Sequence, residues 1–347
     1  MDVNELSLYN PMVLSETVKK MTTPDNLILL NRVPKRPYGF LTVAWDIIRG
    51  SRSRGQFNTI GAEAHVVARL GRAKGSAEGL SYREKKLFEP NTVQMIRAAG
   101  SLDRIAVEEE IMLEVADLNL RADNLAEWTL WQMLSGTLDI DVTTGTQVVA
   151  ASVDYKMLAT HKPQTAIGWD TASPQNIVSD INAWKRLIKK DSQVPALEVF
   201  ATEETIDYIF KAFASTSLSS GTGIMGSMLL SDRMKEQYFN TGKLTGFGGL
   251  TWTPVEIWWE DSAGTEHQFL SDNALFMVNL RDNRPWELKQ LPVYDFDAPL
   301  SHRGKFSKVW VEKDPSWEQH LLAWNFLPIL TRPEQIICVA DVTNGLS

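Results

Sequence analysis

Between positions 101 and 135 apolar residues recur in steps of three and four, at Val107, Ile111, Val115, Leu118, Ala122, Leu125 and Met133. That period places them on one face of an α-helix. Ser101 is a fitting N-cap, and Asp103 falls in the first turn, where a negative charge complements the helix dipole. Neither glycine nor proline interrupts the run until Gly136, a fitting C-terminal stop. At ~1.5 Å per residue the helix runs roughly 50 Å, long enough to act as a spine.

Elsewhere the pattern is shorter. Residues 1–45 carry Pro11, Pro24, Pro34 and Pro37, a spacing that helices do not easily run through, which predicts an extended arm. Gly50, Gly55, Gly61, Gly71, Gly75 and Gly79 punctuate residues 46–90. Alternation from Ala64 to Leu70 predicts a strand there, and Gly71-Arg72-Ala73-Lys74-Gly75-Ser76 a tip. Together they read as a long two-stranded loop, a length that is typically functional. Residues 137–160 read as strands around Thr143-Thr144-Gly145.

A mixed α/β region begins at 173. Ser173-Pro174 opens a helix whose apolar face is Ile177, Ile181, Trp184 and Ile188. A strand is predicted from Ala196 to Phe200, a helix from Thr202 to about Phe213, a Ser/Gly-rich loop over 216–226 and a helix near 227–239. A hairpin follows, Val255–Trp259 against His267–Leu270, then a strand from Ala274 to Leu280. Residues 306–329 read as long returning strands and Gln335 to Val342 as the last one.

Composition narrows the function. Hydrophobic residues are 44% and charged residues 22%, an ordinary globular balance. The net charge of −8 argues against a broad nucleic-acid-binding face. Cys338 is the one cysteine, so no internal disulfide forms; it is expected inside a strand in a reducing setting. No run approaches the ~20 apolar residues of a membrane span. Met1-Asp2-Val3-Asn4-Glu5 lacks a signal peptide's features. The expectation is a soluble chain, not exported. Twelve tryptophans fill either one large core or contacts with other copies.

Catalytic chemistry finds little to stand on. Gly221-Thr222-Gly223-Ile224-Met225-Gly226 matches G-x-G-x-x-G, but it follows a Ser-rich stretch rather than a strand, and Thr245-Gly246-Phe247 stands where an acid is required. His65, His161, His267, His302 and His320 form no metal-ligand spacing. No catalytic residue, cofactor or metal is therefore expected.

Charge provides the candidate site. Arg49, Arg52, Arg54, Arg69, Arg72, Lys74, Arg83, Lys85 and Lys86 face only Glu63, Glu78 and Glu84, about +6 over that stretch. The helix carries Asp103, Glu108, Glu109, Glu110, Glu114, Asp117, Asp123 and Glu127 against Arg104 and Arg121, about −6. Three readings of the basic loop stand side by side: contact with the acidic helix of a neighbouring copy, an ordinary solvated surface, and phosphate binding. Only Phe57 and Tyr82 are there to stack on bases. The proposed inter-subunit residues are Arg49, Arg52, Arg54, Arg69, Arg72 and Lys74 against Glu108, Glu109, Glu110 and Glu114.

The order of elements is arm, basic hairpin loop, spine helix, strands, α/β region and returning strands. It resembles the Hong Kong 97-type major capsid proteins of tailed phages, in particular the lambda-type branch. Ile48-Arg49-Gly50-Ser51-Arg52-Ser53-Arg54-Gly55 resembles the start of that branch's extended loop. Phe269-Leu270-Ser271-Asp272-Asn273-Ala274-Leu275 resembles its Phe-Leu-Pro-Asp-Asn stretch, with Ser271 in place of proline. Pro328-Ile329-Leu330-Thr331-Arg332-Pro333-Glu334 resembles its terminal segment.

The resemblance implies an α+β Hong Kong 97-like capsid fold. Its parts would be an N-terminal arm 1–45, an extended loop 46–90, a peripheral domain 91–160 holding spine helix 101–135, an axial α/β domain 161–299, returning peripheral strands 300–328 and a final strand with the C-terminus, 329–347. It implies hexamers and pentamers in an icosahedral shell around double-stranded DNA held without sequence-specific binding. It also implies a separate scaffolding protein, a portal, assembly in the host cytoplasm and residence in the virion, with no membrane; a decoration protein stays open. A cellular compartment shell of the encapsulin kind is the alternative.

Overall fold

A computed structural model describes residues 10–21, 23–48, 72–88, 104–144, 147–216, 224–260, 264–282, 284–299, 301–313 and 316–345. In chain order the described helices are α1 Pro11–Lys20, α2 Ile28–Arg32, α3 Arg104–Ser135, α4 Pro174–Ser192, α5 Glu203–Thr216 and α6 Ile224–Thr241. The strands begin with β1 Lys35–Pro37, β2 Thr42–Ile48, β3 Arg72–Glu78 and β4 Leu80–Phe88. After α3 come β5 Thr137–Thr144, β6 Gln147–Asp154, β7 Glu198–Ala201, β8 Leu244–Thr245 and β9 Thr251–Pro254. The remainder are β10 Trp258–Glu260, β11 Glu266–Gln268, β12 Leu275–Val278, β13 Trp286–Gln290, β14 Phe306–Lys313, β15 Ser316–Leu330 and β16 Ile336–Val339.

The chain divides into two compact units. The first combines Met1–Ala44, Ser76–Leu130 and Glu287–Ile329; the second combines Trp45–Gly75, Trp131–Trp286 and Leu330–Ser347.

In the first unit a sheet runs β1-β13-β15-β14, with β4 also paired to β15. Strand β4 lies antiparallel to β15 over nine residue pairs, from Leu80 opposite Phe326 to Phe88 opposite Glu318. Helices α1 and α2 stand where an extended arm is expected. The reason lies at Pro11: it occupies the first turn, where the missing N–H costs no hydrogen bond and the fixed φ suits a helix. The Asn10 side chain caps that turn by accepting from the Met12 N–H at 3.0 Å. Leu14, Ser15 and Val18 are the buried residues of α1. Ser15 and Ser307 of β14 bond reciprocally: the Ser307 N–H donates to Ser15 Oγ at 2.9 Å, and that hydroxyl donates to the Ser307 carbonyl at 3.2 Å.

In the second unit the sheet order is β16-β12-β7-β9-β8. β12 lies antiparallel to both β16 and β7, whereas β7 and β9 are parallel. Ser173 caps α4 and Pro174 starts it, as expected. Ile177, Ile181, Trp184 and Ile188 are all buried in one apolar cluster with Val199, Trp252, Leu275 and Ile337 of the sheet. Cys338 is buried in β16, and burial pushes its thiol up to about 11. In the Phe269–Leu275 stretch, Phe269 and Leu270 are buried and Asn273 turns at φ +61°. The Ala274 N–H closes that turn on the Ser271 carbonyl at 3.0 Å.

Two local expectations need correction. Arg72–Gly75 is part of strand β3, paired with β2, and not a tip. Gly75 is there for space: a Cβ would sit 2.5 Å from the Trp45 indole. Leu125 lies outside the buried face of α3, at 38% exposed. The expected strand 64–70, the N-cap Ser101 and most of the Ser/Gly loop 216–226 lie outside the described residues.

Candidate functional site

The candidate site begins with the alternation of β4. Tyr82, Glu84 and Lys86 share one face of the strand, and Arg83 and Lys85 the other. The first three meet α3 of the same chain. The Tyr82 hydroxyl lies 3.1 Å from the Leu118 carbonyl and 3.1 Å from Glu84 Oε2. Arg121 Nε donates to Glu84 at 2.8 Å. Lys86 Nζ bridges Glu114 and Asp117, with Asp117 at 2.5 Å.

Burial and the Glu84 carboxylate together push the Tyr82 phenol far above its usual value. Glu84 raises Arg121 against the opposing effect of burial. Burial pulls Lys86 down, but hydrogen bonds to Asp117 and Glu114 outweigh it and hold the ammonium above its usual range.

Farther along α3 the acids turn inward. Asn119, Asp123 and Glu127 follow one another at four-residue steps and are all buried. Lys305 Nζ donates to Asp123 Oδ1 at 2.6 Å and to Asn119 Oδ1 at 2.5 Å, and lies 5.1 Å over the Trp324 ring. Burial lowers Lys305 despite the pull of Asp123. Glu127, fully buried, accepts the Leu29 N–H at 3.0 Å and the Leu30 N–H at 2.6 Å, so its carboxylate caps the short helix α2. Asp123 and Glu127 count toward the helix's charge of about −6, but each has a partner inside the chain and neither is available to a neighbour. The signal was present in the sequence: 119, 123 and 127 interleave with the apolar positions 115, 118, 122, 126 and 130 on one helical face.

Of the other proposed contact residues, Glu114 is bound by Lys86 within the chain. Arg72 pairs with Asp46 at 3.1 Å at an exposed site, and Lys74 is exposed on β3. Arg49, Arg52, Arg54 and Arg69 lie outside the described residues, as do the side chains of Glu108, Glu109 and Glu110. Among the described residues no group of three His, Cys, Asp or Glu side chains stands close enough to hold a metal ion. Nor is any described helix long and apolar enough to cross a membrane. His161 is buried between the Ile336 carbonyl at 2.8 Å and Asp191 at 3.1 Å, the surroundings of a packed histidine.

What the architecture belongs to follows from comparison with known proteins. The family described as phage major capsid protein E matches residues 11–340. No curated protein sequence matches the chain. Among solved structures, a prophage capsid protein from Escherichia coli CFT073 superposes with a TM-score of 0.63 at 15% identity, covering 98% of this chain and 99% of that one. A phage-related protein from Bordetella bronchiseptica RB50 superposes with a TM-score of 0.54 at 11% identity, covering 96% and 98%. These likenesses establish the Hong Kong 97-type fold. With nearly its whole length matched, the chain belongs to the phage major capsid protein E family and is a shell-forming capsid protein.

Proposed function

We propose that the chain assembles through hexamers and pentamers into the icosahedral head shell of a tailed phage, closed around a double-stranded DNA genome. The family match over residues 11–340 carries the reading. The net charge of −8 supports a wall that encloses DNA without gripping it, so that the genome can leave. The first unit, which holds most of α3, is the peripheral domain, and the α/β part of the second unit, chiefly residues 161–286, points to the capsomer centre. A separate scaffolding protein and a portal act in assembly in the host cytoplasm, and the finished chain resides in the virion.

Neighbouring copies meet through the basic segment. The base of that segment is tied to its own spine helix by Lys86, Glu114 and Asp117. The cations farther along, Arg49, Arg52, Arg54 and Arg69 with Arg72 and Lys74, reach Glu108, Glu109 and Glu110 of the next copy. Arg72 exchanges its exposed Asp46 partner at little cost, since such pairs contribute about 0–1 kcal/mol. Each contact is weak, but every subunit makes several at once, and the closed shell is far tighter than any pair.

Negative-stain microscopy and nuclease digestion of particles from producing cells test the reading. Closed particles holding nuclease-protected double-stranded DNA are expected. Closed particles filled with an enzyme cargo instead would move the chain to the cellular compartment shells. Reversing Glu108, Glu109 and Glu110 to lysine should lower particle yield more in dilute than in concentrated salt. The electrostatic range shrinks from about 30 Å at 0.01 M to about 3 Å at 1 M. Undiminished yield in dilute salt would remove the charged contact.

A further inference from the structure

An aromatic surface at one end of the first unit's sheet has no part in the charged contacts above. β1 and β13 run parallel, with Pro37 opposite Gln290, so the chain leaves both strands at the same end of the sheet. Beyond β1, Phe40 is 71% exposed; beyond β13, Tyr294 is 63% exposed and Phe296 fully so. Scattered exposed apolar residues are ordinary on any protein, but several large aromatics exposed at the same end of one sheet mark a contact surface.

The loop that presents Phe296 is fixed rather than loose. Asp295, almost fully covered, takes Lys308 Nζ at 2.7 Å and Arg83 at 2.9 Å. Its Oδ1 also accepts the Asp297 N–H at 3.1 Å, and its carbonyl accepts the Ala298 N–H at 3.1 Å. Lys308 spans on to Asp297 at 3.0 Å. Phe296 therefore stands out from a closed turn, with little loop freedom left to lose on binding. Beside it lies a hollow lined by Arg83, Val293, Tyr294 and Lys308.

We propose that Tyr294 and Phe296, with Phe40, form a contact in which Phe296 of one copy is covered by another copy of this chain in the shell. This deepens the shell reading and rests on it. Two observations favour a second copy as occupant. The cations Arg83 and Lys308 are matched by Asp295 and Asp297 within the loop, so identical patches meet without like-charge repulsion. The area also fits. A whole aromatic side chain buries about 150–250 Å²; with Phe40 71% and Tyr294 63% exposed and Phe296 fully so, the three contribute roughly 350–580 Å² of the ~800 Å² that each partner gives to a standard interface.

The test uses the full chain carrying Phe296→Cys. Cys338 is buried with a raised thiol pKa, so the unmodified chain gives only a slow background with maleimide. Labelling at position 296 is compared between free subunits and assembled particles. At least a tenfold slower reaction in particles is expected; equal rates overturn the inference and leave the shell reading intact. A second measurement uses Tyr294→Ser with Phe296→Ser. Subunits should keep their circular dichroism and melting temperature while closed-particle yield falls at least tenfold; unchanged yield again overturns the contact. If the unmodified chain forms no closed particles with its scaffold, the shell reading fails and the inference falls with it.

Discussion

Each unit has its own internal chemistry, and the two differ in how much of it is charged. In the second, α4 and α5 bury Ile177, Ile181, Trp184, Ile188, Ile206 and Ile209 in a cluster with the apolar faces of five strands, and Trp169 stacks on Trp184 at 5.8 Å. In the first, the spine helix is fixed by named charges: Lys86 on Glu114 and Asp117, Arg121 on Glu84, Lys305 on Asp123, and Glu127 on two backbone N–H groups. An apolar cluster tolerates sliding and resists salt. A charged dock specifies one register, because displacement leaves a buried ion without a partner.

The sharpest break is on the apolar side. Trp184→Ala should cost about 3–5 kcal/mol in chemical denaturation, nearly the same at low and high salt. On the charged side, Lys305→Met should cost about 3 kcal/mol by stranding Asp123. Adding Asp123→Leu should recover most of that loss. If the double variant is no better than the single one, the pair is not what holds the helix there. Glu127→Gln keeps one acceptor and loses the charge. It should cost about 2 kcal/mol, read as a lower urea midpoint, with early amide exchange at Leu29 and Leu30.

The smallest effect is one of pH. Burial raises Asp295, but hydrogen bonds and charge from Lys308 outweigh it and hold its carboxyl below the usual value. Its contribution is therefore present above the ordinary carboxylate range near 3.8 and is lost as pH falls through the lower folded value. Burial raises Asp180 despite the Trp169 indole that donates to it at 3.2 Å. The folded state then binds the proton more tightly, so acidification through the raised folded value towards 3.8 stabilises. Melts from pH 7 to pH 3 should show Asp295→Asn removing an acid-side loss and Asp180→Asn removing an acid-side gain. Shifts of the same sign would end the comparison.

Much of this was legible because it is local. The spine helix extends to Ser135 and stops at Gly136, whose φ is +91°, and Ser173-Pro174 opens α4. The differences share one cause: the commonest role of a residue type is not always its role here. Pro11 reads as a breaker and starts a helix. Gly75 reads as part of a tip and makes room for an indole. Asp123 and Glu127 count toward an acidic helix; the helical period shows that they are buried, but their partners lie 182 and about 97 positions away, beyond the reach of any local pattern. The basic segment's charge is visible in the sequence, whereas the placing of Phe40 and Phe296 at one end of the sheet is not, because it follows from the register of β1 on β13.

Those separations also set a timetable. Leu29 and Leu30 have already left the ribosome when Glu127 itself emerges, so the carboxylate can reach its cap without waiting for later residues. Asp123 must wait 182 residues for Lys305. At ~5–20 residues per second that is about 10–40 s. Through that interval the nascent spine helix carries an unneutralised acid on the face it will bury. The acid discourages premature packing until β14 and β15, which complete the sheet, have been synthesised.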